Sequence, residues 1–327
     1  MSDKKKVYSG IRATGRLHLG NYFGAVKGMM ELQDEYDCVF SVVDLHTITT
    51  PYDPKSLQMS VKDVILDYLA VGLDPEKCLI EIQSRVPEHT ELAFLLSTIY
   101  PVARLEDLPT YKDKIAQHPK YVNMGLLYYP VLMAADIMLY KGDLVPVGKD
   151  QEPHIEVARE IARKFNSMFV DFFPEPQSFR TKGDYVPSLT GVGKMGKSTE
   201  GSYINLTDDL ETIRNRIAVV PTDAGDLGGD VPKDGGVATL FKLLELLEKD
   251  KLHKKYVQDY NDKKIRYSEM KSDIANAIFE YLVPIQKKRK EIEMSFDYDE
   301  MITEHAKICR KVASQTLIEV KQKMGLL

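Results

Sequence analysis

Three short and mainly apolar runs in the first part of the chain constrain the fold more than any other feature. They are KVYSGI, CVFSVVDLHT and CLIEIQS, and such runs are typical of strands that are buried on both faces of a parallel sheet. Two helical patterns separate them, NYFGAVKGMMELQDEY and SLQMSVKDVILDYLAVGL, the second of which ends at the stop signal Gly72-Leu73-Asp74-Pro75. This alternation predicts an α/β fold with a doubly wound, Rossmann-like parallel sheet.

The same alternation continues to about residue 186 and then stops. MGLLYYPVLMAADIMLYKG predicts a long apolar helix, DLVPVG a short strand and EPHIEVAREIARKFN another helix. Beyond that point the chain is almost entirely helical in pattern, as in VATLFKLLELLEKD and IANAIFEYLVPIQKKRKEIE. We therefore expect a Rossmann-like catalytic domain over residues 1–186, and a loop followed by a C-terminal all-helical domain over residues 187–327.

Composition excludes several classes of protein. No apolar run reaches the roughly 18 residues of a membrane span, and the start, MSDKKKVYSG, lacks the apolar core of a signal peptide. Cys38, Cys78 and Cys309 have none of the close spacings of a metal site and suit a reducing cytoplasm. The net charge of −5 argues against a uniformly basic nucleic-acid binder but permits a local basic face.

The segment HLGN, His18 to Asn21, lies between the first predicted strand and the first predicted helix. Ligands of doubly wound sheets bind outside the carboxyl ends of the strands, and a helix N-terminus there offers N–H groups to phosphate. His18 and Asn21 would add side-chain donors, while Gly20 would let a ligand approach the backbone. A helix cap with a buried histidine is the alternative interpretation.

The second candidate segment is the glycine-rich loop GVGKMGKS, Gly191 to Ser198. The two lysines and the serine could grip a polyphosphate, although an exposed basic loop is the common alternative. The loop also satisfies the P-loop pattern GxxxxGKS. A P-loop, however, joins a buried strand to a helix, and the flanking DYVPSLT and STEGSYINLTDD predict neither arrangement.

Taken together, the two segments resemble the signatures of the class I aminoacyl-tRNA synthetases. HLGN is similar to the HIGH signature, and KMGKS, roughly 175 residues later, is similar to the KMSKS signature. SGIRATGRLHLGNYFGA, VVDLHTIT, YYPVLMAADIMLY and VPVGKDQEPHIEVAREIARKFN resemble the bacterial tryptophanyl-tRNA synthetase family in particular. The resemblance extends over nearly the whole chain.

This resemblance implies a reaction, its substrates and its partners. The carboxylate of L-tryptophan attacks the α-phosphorus of ATP, pyrophosphate leaves, and the terminal ribose hydroxyl of tRNA(Trp) then attacks the adenylate. His18 and Asn21 would stabilise the α-phosphate, and Lys194 and Lys197 would hold the leaving pyrophosphate. Mg²⁺ would be bound mainly by the phosphates, without protein ligands. The family is homodimeric, with tRNA lying across both subunits and its anticodon read by the helical domain.

The resemblance also implies two sets of binding residues. Those expected to bind ATP are Arg12, Ala13, Thr14, His18, Gly20, Asn21, Gly148, Lys149, Asp150, Val186, Lys194, Met195, Gly196, Lys197 and Ser198. Those expected to bind tryptophan are Tyr8, Gly10, His46, Tyr129, Met133, Asp136 and Gln151. Gly148 to Asp150 would contact ribose and adenine, with Val186 against the base.

Asp136 can also be interpreted from its own surroundings. It is a lone carboxylate in the apolar helix LMAADIMLY, which is costly unless the carboxylate is paired. It could face solvent, pair with a distant arginine, or accept the indole N–H, which is donor only. Met133 lies on the same predicted face, and Tyr129 would hold the substrate ammonium with Gln151. Tyrosyl relatives often have Gln where Met133 stands, which favours tryptophan.

Two departures from the family pattern leave other functions open. Arg12-Ala13-Thr14 stands where the family commonly has Gln-Pro-Ser, and Gly196 replaces the usual serine of the second signature. A tyrosyl-type synthetase is the nearest alternative. A synthetase-like protein that binds ATP and regulates without charging tRNA is the second.

Overall fold

The computed structural model describes residues 4–181, 183–197, 199–224 and 228–327. Within these ranges five strands form one parallel sheet in the order β3-β2-β1-β4-β5. The strands are β1 Lys6–Ile11, β2 Asp37–Val42, β3 Cys78–Ile82, β4 Leu144–Pro146 and β5 Gln177–Phe179. The predicted Rossmann-like parallel sheet is confirmed, and β5 is a strand that the sequence did not predict.

Helices account for most of the remaining described chain. In the first part they are α1 Leu19–Asn21, α2 Lys27–Leu32, α3 Asp44–Thr47, α4 Leu57–Val71, α5 Glu88–Ser97, α6 Val102–Glu106, α7 Pro109–Gln117, α8 Met124–Leu139 and α9 Glu152–Met168. In the second part they are α10 Leu210–Ala218, α11 Gly235–Leu246, α12 Asp250–Asn261, α13 Tyr267–Ser295 and α14 Tyr298–Lys323. The predicted helical character of the C-terminal region is confirmed.

Local sequence explains where several helices begin and end. Asn123 caps α8, since its side-chain oxygen accepts a hydrogen bond from the amide of Leu126 at 3.0 Å. Gly72 ends α4 in the left-handed region at φ 112°, which confirms the predicted stop signal. The first predicted helix is interrupted, because a π-helical stretch, Tyr22–Val26, separates α1 from α2.

The chain divides into two compact units that are discontinuous in sequence. The first comprises Met1–Gly15, Gly28–Arg180 and Phe296–Leu327, and the second comprises Arg16–Lys27 and Thr181–Ser295. The whole sheet belongs to the first unit. The main part of the second unit begins at Thr181, shortly before the predicted boundary at residue 186. Arg16–Lys27, predicted to be in the first domain, belongs to the second unit, and α14, predicted to be in the second domain, belongs to the first unit. The functions assigned to the two domains remain predictions.

Helix α14 completes the core of the first unit. Cys309, Ala313 and Leu317 belong to the same buried apolar cluster as the centre of α8. The backbone amide of Ile80 in β3 donates a hydrogen bond to Nδ1 of His305 at 2.9 Å. The third strand therefore depends on a helix that follows it by more than 200 residues.

In the described ranges, none of the helices combines the length and the apolar character that crossing a lipid bilayer would require.

Candidate functional site

The carboxylate of Asp136 is the centre of a buried polar cluster in the first unit. Oδ2 accepts from Nε2 of His46 at 2.8 Å, and Oδ1 accepts from Nε2 of Gln83 at 2.8 Å and from Nδ1 of His89 at 2.7 Å. Asp136 is only 1% exposed. We call these four residues the Asp136 cluster. The sequence interpretation that Asp136 faces solvent or pairs with a distant arginine is wrong.

The sheet explains why these side chains meet. His46 lies in α3, just after β2 ends, and Gln83 begins a short 3₁₀ turn directly after β3. The carboxyl ends of parallel strands lie at one edge of a sheet, where such folds bind their ligands. Gln83 is held in place because its Oε1 accepts from the amide of Leu45 at 3.1 Å, which leaves its Nε2 to donate to Asp136.

The surroundings of Asp136 fix its charge. Burial alone would raise the pKa of this carboxyl, but the charge of His89 and the hydrogen bonds from His46 and His89 outweigh it and lower the pKa to about 2. Asp136 is therefore ionised at any pH at which the protein would work.

Sequence reasoning found Asp136 and His46 but missed their partners. Gln83 and His89 were not predicted, although Gln83 follows a predicted strand at the ligand-binding edge, which was the available signal. Glu81 was missed as well. It is a carboxylate inside a buried strand, where its Oε1 lies 3.2 Å from Nε2 of His89 and its Oε2 accepts from the hydroxyl of Tyr140 at 2.5 Å.

Other residues of the predicted tryptophan pocket lie around the cluster. The ring of Tyr129 meets that of His46 edge to face at 6.3 Å, and Tyr8 is near enough for the charge of Asp136 to raise its pKa, after the larger effect of burial. Met133 is half-buried on α8 beside the apolar core. Gly10 lies two residues beyond Tyr8 on β1 and is exposed.

Tyr129 and Gln151, which are predicted to hold the substrate ammonium together, each have hydrogen-bond partners of their own. The hydroxyl of Tyr129 donates to Thr110 at 3.0 Å and lies 2.8 Å from Nε2 of His154, while Gln151 donates to Asp150 at 2.6 Å. Thr110 and His154 were not predicted. They hold the tyrosine ring in a fixed orientation beside His46.

Two further predicted segments of the first unit follow strands β1 and β4. Arg12 reaches back to the turn after α3, donating to Thr50 Oγ1 at 2.6 Å, and the amide of Ala13 donates to Thr47 Oγ1 at 2.9 Å. Burial lowers the pKa of Arg12. Thr14 is exposed. Gly148 comes two residues after β4 and precedes the 3₁₀ turn Lys149–Gln151, in which the side chains of Lys149 and Asp150 are exposed.

His18 and Asn21 form a reciprocal helix cap in the second unit. The amide of Asn21 donates to Nδ1 of His18 at 3.3 Å, and the amide of His18 donates to Oδ1 of Asn21 at 3.2 Å. Because Nδ1 accepts, the proton of a neutral ring must be on Nε2, which can then donate to a ligand. Burial, with the charges of Lys197 and Lys194, lowers the pKa of His18 to about 3, so the ring is neutral near pH 7.

The loop Gly191–Lys197, called the lysine loop below, is held by backbone pairing. The amide of Met195 donates to Val186 at 2.8 Å, the amide of Ser188 donates to Gly193 at 2.9 Å, and Lys194 pairs with Pro187 in an antiparallel bridge. The side chains of Val186 and Met195 are buried, and that of Lys194 is exposed. Nζ of Lys197 donates a hydrogen bond to the carbonyl of Arg16. Ser198 lies outside the described residues.

Backbone pairing also brings the two predicted signatures together within the second unit. The amide of Leu19 donates to Ile204 and that of Leu206 donates to Leu17, both at 2.9 Å, so His18 is paired with the strand-like segment that follows the lysine loop. Gly20 leaves room for the histidine ring, since a Cβ there would lie 2.9 Å from two of its atoms. Helix α10 begins only at Leu210, which argues against a P-loop.

The chemistry of the two regions differs. The Asp136 cluster offers one oriented anion in an apolar setting, which suits a ligand with a single N–H donor. The second unit offers a neutral N–H donor and two lysines, which suit phosphate. Within the residues that the structure describes, no three His, Cys, Asp or Glu side chains are grouped so that they could hold a metal ion.

Comparison with known proteins gives concordant matches. A family model described as class I tRNA synthetases (W and Y) matches residues 2–283. The tryptophan–tRNA ligase of Porphyromonas gingivalis is 42% identical over 323 residues, which are 98% of this chain and 98% of the relative. That of Fusobacterium nucleatum is 39% identical over 326 residues, 99% of this chain and 98% of the relative.

Solved structures of tryptophanyl-tRNA synthetases are similar in fold to this chain. A tryptophanyl-tRNA synthetase from Mycoplasma pneumoniae superimposes with a TM-score of 0.88 at 30% identity and covers 99% of this chain and 98% of its own. The enzyme from Campylobacter jejuni, solved with ADP and tryptophan, gives a TM-score of 0.82 at 30% identity over 98% of this chain and 100% of its own.

Proposed function

This chain belongs to the class I tRNA synthetases (W and Y), and we propose that the Asp136 cluster is its tryptophan pocket and the lysine loop its phosphate-binding loop. The activity is that of a tryptophan–tRNA ligase. L-tryptophan is activated with ATP to tryptophanyl-adenylate, pyrophosphate is released, and the tryptophanyl group is transferred to tRNA(Trp).

The observation that carries the pocket assignment is the count of hydrogen bonds at Asp136. An ionised carboxylate offers about four acceptor positions. Three are used, two on Oδ1 by Gln83 and His89 and one on Oδ2 by His46. Among the described residues no partner uses the second position on Oδ2, and the indole N–H is a single donor that needs one acceptor. Phenylalanine has no such donor and would leave that position unused.

The neighbouring side chains fit the rest of the amino acid. Met133 provides a soft, polarisable wall for the indole, and Tyr8 and Gly10 line the cavity from β1. His46 contacts the substrate beside Asp136. Tyr129, held by Thr110 and His154, binds the substrate ammonium, and Gln151 joins it there once it turns away from Asp150.

The nucleoside of ATP has its own set of residues. In the first unit, Gly148, Lys149 and Asp150 bind ribose and adenine, and the segment Arg12 to Thr14 contributes contacts after β1. The guanidinium of Arg12 donates a hydrogen bond to Thr50, and this bond restrains the segment in which the family commonly has glutamine. In the second unit, Val186 lies against the base, and Gly20 allows the nucleotide to approach the backbone.

Catalysis in the second unit is positioning and charge stabilisation, with no covalent enzyme intermediate. His18 donates from Nε2 to the α-phosphate while the tryptophan carboxylate attacks phosphorus, and Asn21 keeps the histidine ring oriented. Lys194 and Lys197 neutralise the leaving pyrophosphate, and Met195, Gly196 and Ser198 are the further residues proposed to bind ATP. Mg²⁺, held by the phosphates, supplies further neutralisation when bound.

The partners follow from the same family membership. We propose a homodimer in the cytoplasm, with tRNA(Trp) bound across both subunits and its anticodon read by the helical residues that follow the lysine loop. The three described cysteines are free thiols, which suits a reducing compartment.

The test is ATP–pyrophosphate exchange with tryptophan and with tyrosine as the amino acid. We expect exchange that depends on tryptophan and is less efficient with tyrosine, whose hydroxyl is also a donor but stands on a smaller ring that fits a pocket for indole poorly. Preference for tyrosine would establish the tyrosyl-type alternative. Absence of exchange in a protein that binds ATP would establish the non-charging regulator.

A further inference from the structure

His89 is a fully buried side chain that lies between two carboxylates of the first unit. Its Nδ1 is 2.7 Å from Oδ1 of Asp136, and its Nε2 is 3.2 Å from Oε1 of Glu81. None of the three residues is more than 1% exposed. Ionised carboxylates only accept hydrogen bonds, so both ring nitrogens must donate. His89 is therefore an imidazolium cation in this arrangement.

The titratable groups that face His89 and its two partners come from several elements. They are Tyr8 of β1, His46 of α3, Glu81 of β3, Asp136 of α8, Tyr140 at the end of α8 and Cys309 of α14. This described set contains two acids, three weak acids that are neutral at pH 7, and one other histidine. Only His89 touches both carboxylates.

The charge on His89 decides what Asp136 can offer to a ligand. Without it, two carboxylates would share a dry site, and like charges in such a site raise the pKa of one of them. A protonated Asp136 could turn an O–H donor toward the ligand, and an indole N–H, itself a donor, would then lose its acceptor.

We propose that His89 is a positioning residue for tryptophan selection, keeping Asp136 ionised and holding its Oδ1 so that Oδ2 retains an acceptor position for the indole N–H. The inference rests on the proposed role of Asp136 as that acceptor. His89 acts through Asp136 and needs no contact with the substrate.

The pKa directions agree with this arrangement. Burial lowers the pKa of His89, but Glu81 and Asp136 outweigh burial and raise it to about 10. The cation is therefore present throughout the range in which an unpaired histidine would lose its proton.

The test compares the wild-type protein with His89→Asn, measuring tryptophan affinity by calorimetry at pH 7 and pH 5. Asparagine can still donate to Asp136 but carries no charge. We expect the variant to lose about tenfold more affinity between these pH values than the wild type, because loss of the cation raises the pKa of Asp136 and its protonation removes the acceptor. An unchanged pH profile in the variant overturns the proposal.

Two controls separate this role from general damage to the pocket. Tyr140→Phe removes a donor to Glu81, one contact further from Asp136, and should keep the wild-type pH profile. A tryptophan analogue with sulfur in place of the indole N–H should show no extra pH dependence in His89→Asn. An equal pH effect in Tyr140→Phe, or with the analogue, overturns the proposal.

The proposed function and this inference fail in different ways. If Asp136→Ala binds tryptophan as well as the wild type does, the pocket assignment is wrong. If Asp136→Ala loses tryptophan but His89→Asn keeps the wild-type pH profile, only the role of His89 is wrong. If His89→Asn does not fold, ¹⁵N NMR of wild-type protein labelled at histidine provides the test. We expect both ring nitrogens of His89 to be protonated at pH 8. A neutral ring would overturn the proposal.

Discussion

The Asp136 cluster and the lysine loop place charged groups in opposite surroundings. In the first, the ionised side chains are at most 1% exposed and each has its partners within the protein. In the second, Lys194 is exposed and its loop contains glycines, of which Gly191 and Gly193 are in the left-handed region. The buried group has its charge and direction set before a ligand arrives, whereas the flexible side chain of an exposed lysine can follow a ligand whose charge changes during reaction.

Under the proposed function the two regions would have separate tasks. A fixed acceptor in an apolar pocket discriminates between amino acids, because a wrong side chain leaves a buried polar group unpaired. Exposed lysines discriminate poorly, but they can follow the charge that develops on the leaving pyrophosphate and so change the rate. Substitutions in the two regions should therefore affect different measured quantities.

The largest expected effect is on rate, from Lys194→Ala or Lys197→Ala. Removing one donor from a developing charge costs on the order of 10²-fold in the chemical step, so single-turnover adenylate formation should slow by about that factor with tryptophan affinity unchanged. Lys254→Ala, which removes an exposed lysine from α12, is the matched control and should react at the wild-type rate. Weaker ATP binding with an unchanged single-turnover rate would falsify the assignment.

The next effect is on affinity, from Asp136→Ala. Losing the acceptor leaves the indole N–H buried and unpaired, at a cost of roughly 1–3 kcal/mol, and discrimination against tyrosine and phenylalanine should fall in parallel. The chain contains no tryptophan, so the fluorescence of bound tryptophan itself reports binding over a tyrosine background. ATP affinity should be retained. Loss of ATP and tryptophan binding together would indicate damage to the fold instead.

The smallest effect should come from Gly196→Ser, which restores the usual serine of the family's signature. A Cβ at Gly196 meets no atom within 4 Å, and its backbone is outside the left-handed region, so stability should change by about 0.5 kcal/mol or less. Gly193→Ser is the contrasting variant, because Gly193 has φ 71° and a serine there should cost about 1 kcal/mol or more. Equal thermal stabilities of the two variants would contradict the described loop conformation.

The sequence predicted those structural features that depend on residues adjacent in the chain. Buried strands β1, β2 and β3 were predictable because apolar runs reflect burial on both faces, and Gly72 was a predictable stop because few residues adopt positive φ. Strand β5 was missed because QSF, residues 177–179, is short and carries no apolar run. The π-helical stretch after Asn21 was missed because it shares the periodicity of an ordinary helix within a few residues.

The partners of Asp136 could not be predicted for a different reason. His46, Gln83 and His89 are 90, 53 and 47 residues away in sequence, and they converge only through the order of the strands and the packing of α5 against α8. The isolated carboxylate in an apolar helix indicated that partners must exist, since an unpaired buried charge is too costly. It carried no information about which donors they are.

The return of α14 to the first unit has a consequence for synthesis on the ribosome. Residues 296–327 are translated after the whole of 181–295, so the lysine loop and α10 to α13 are made before β3 receives its last packing partner. At 5–20 residues per second, translating the 115 residues of 181–295 takes roughly 6 to 23 seconds, and residues 296–327 take roughly two to six seconds more. During this time β3, which leads into the turn that carries Gln83, lacks the hydrogen bond between Ile80 and His305. A nascent chain can therefore contain both signatures before its amino-acid pocket is assembled, and a chain cut short before α14 would present an uncovered sheet to chaperones and proteases.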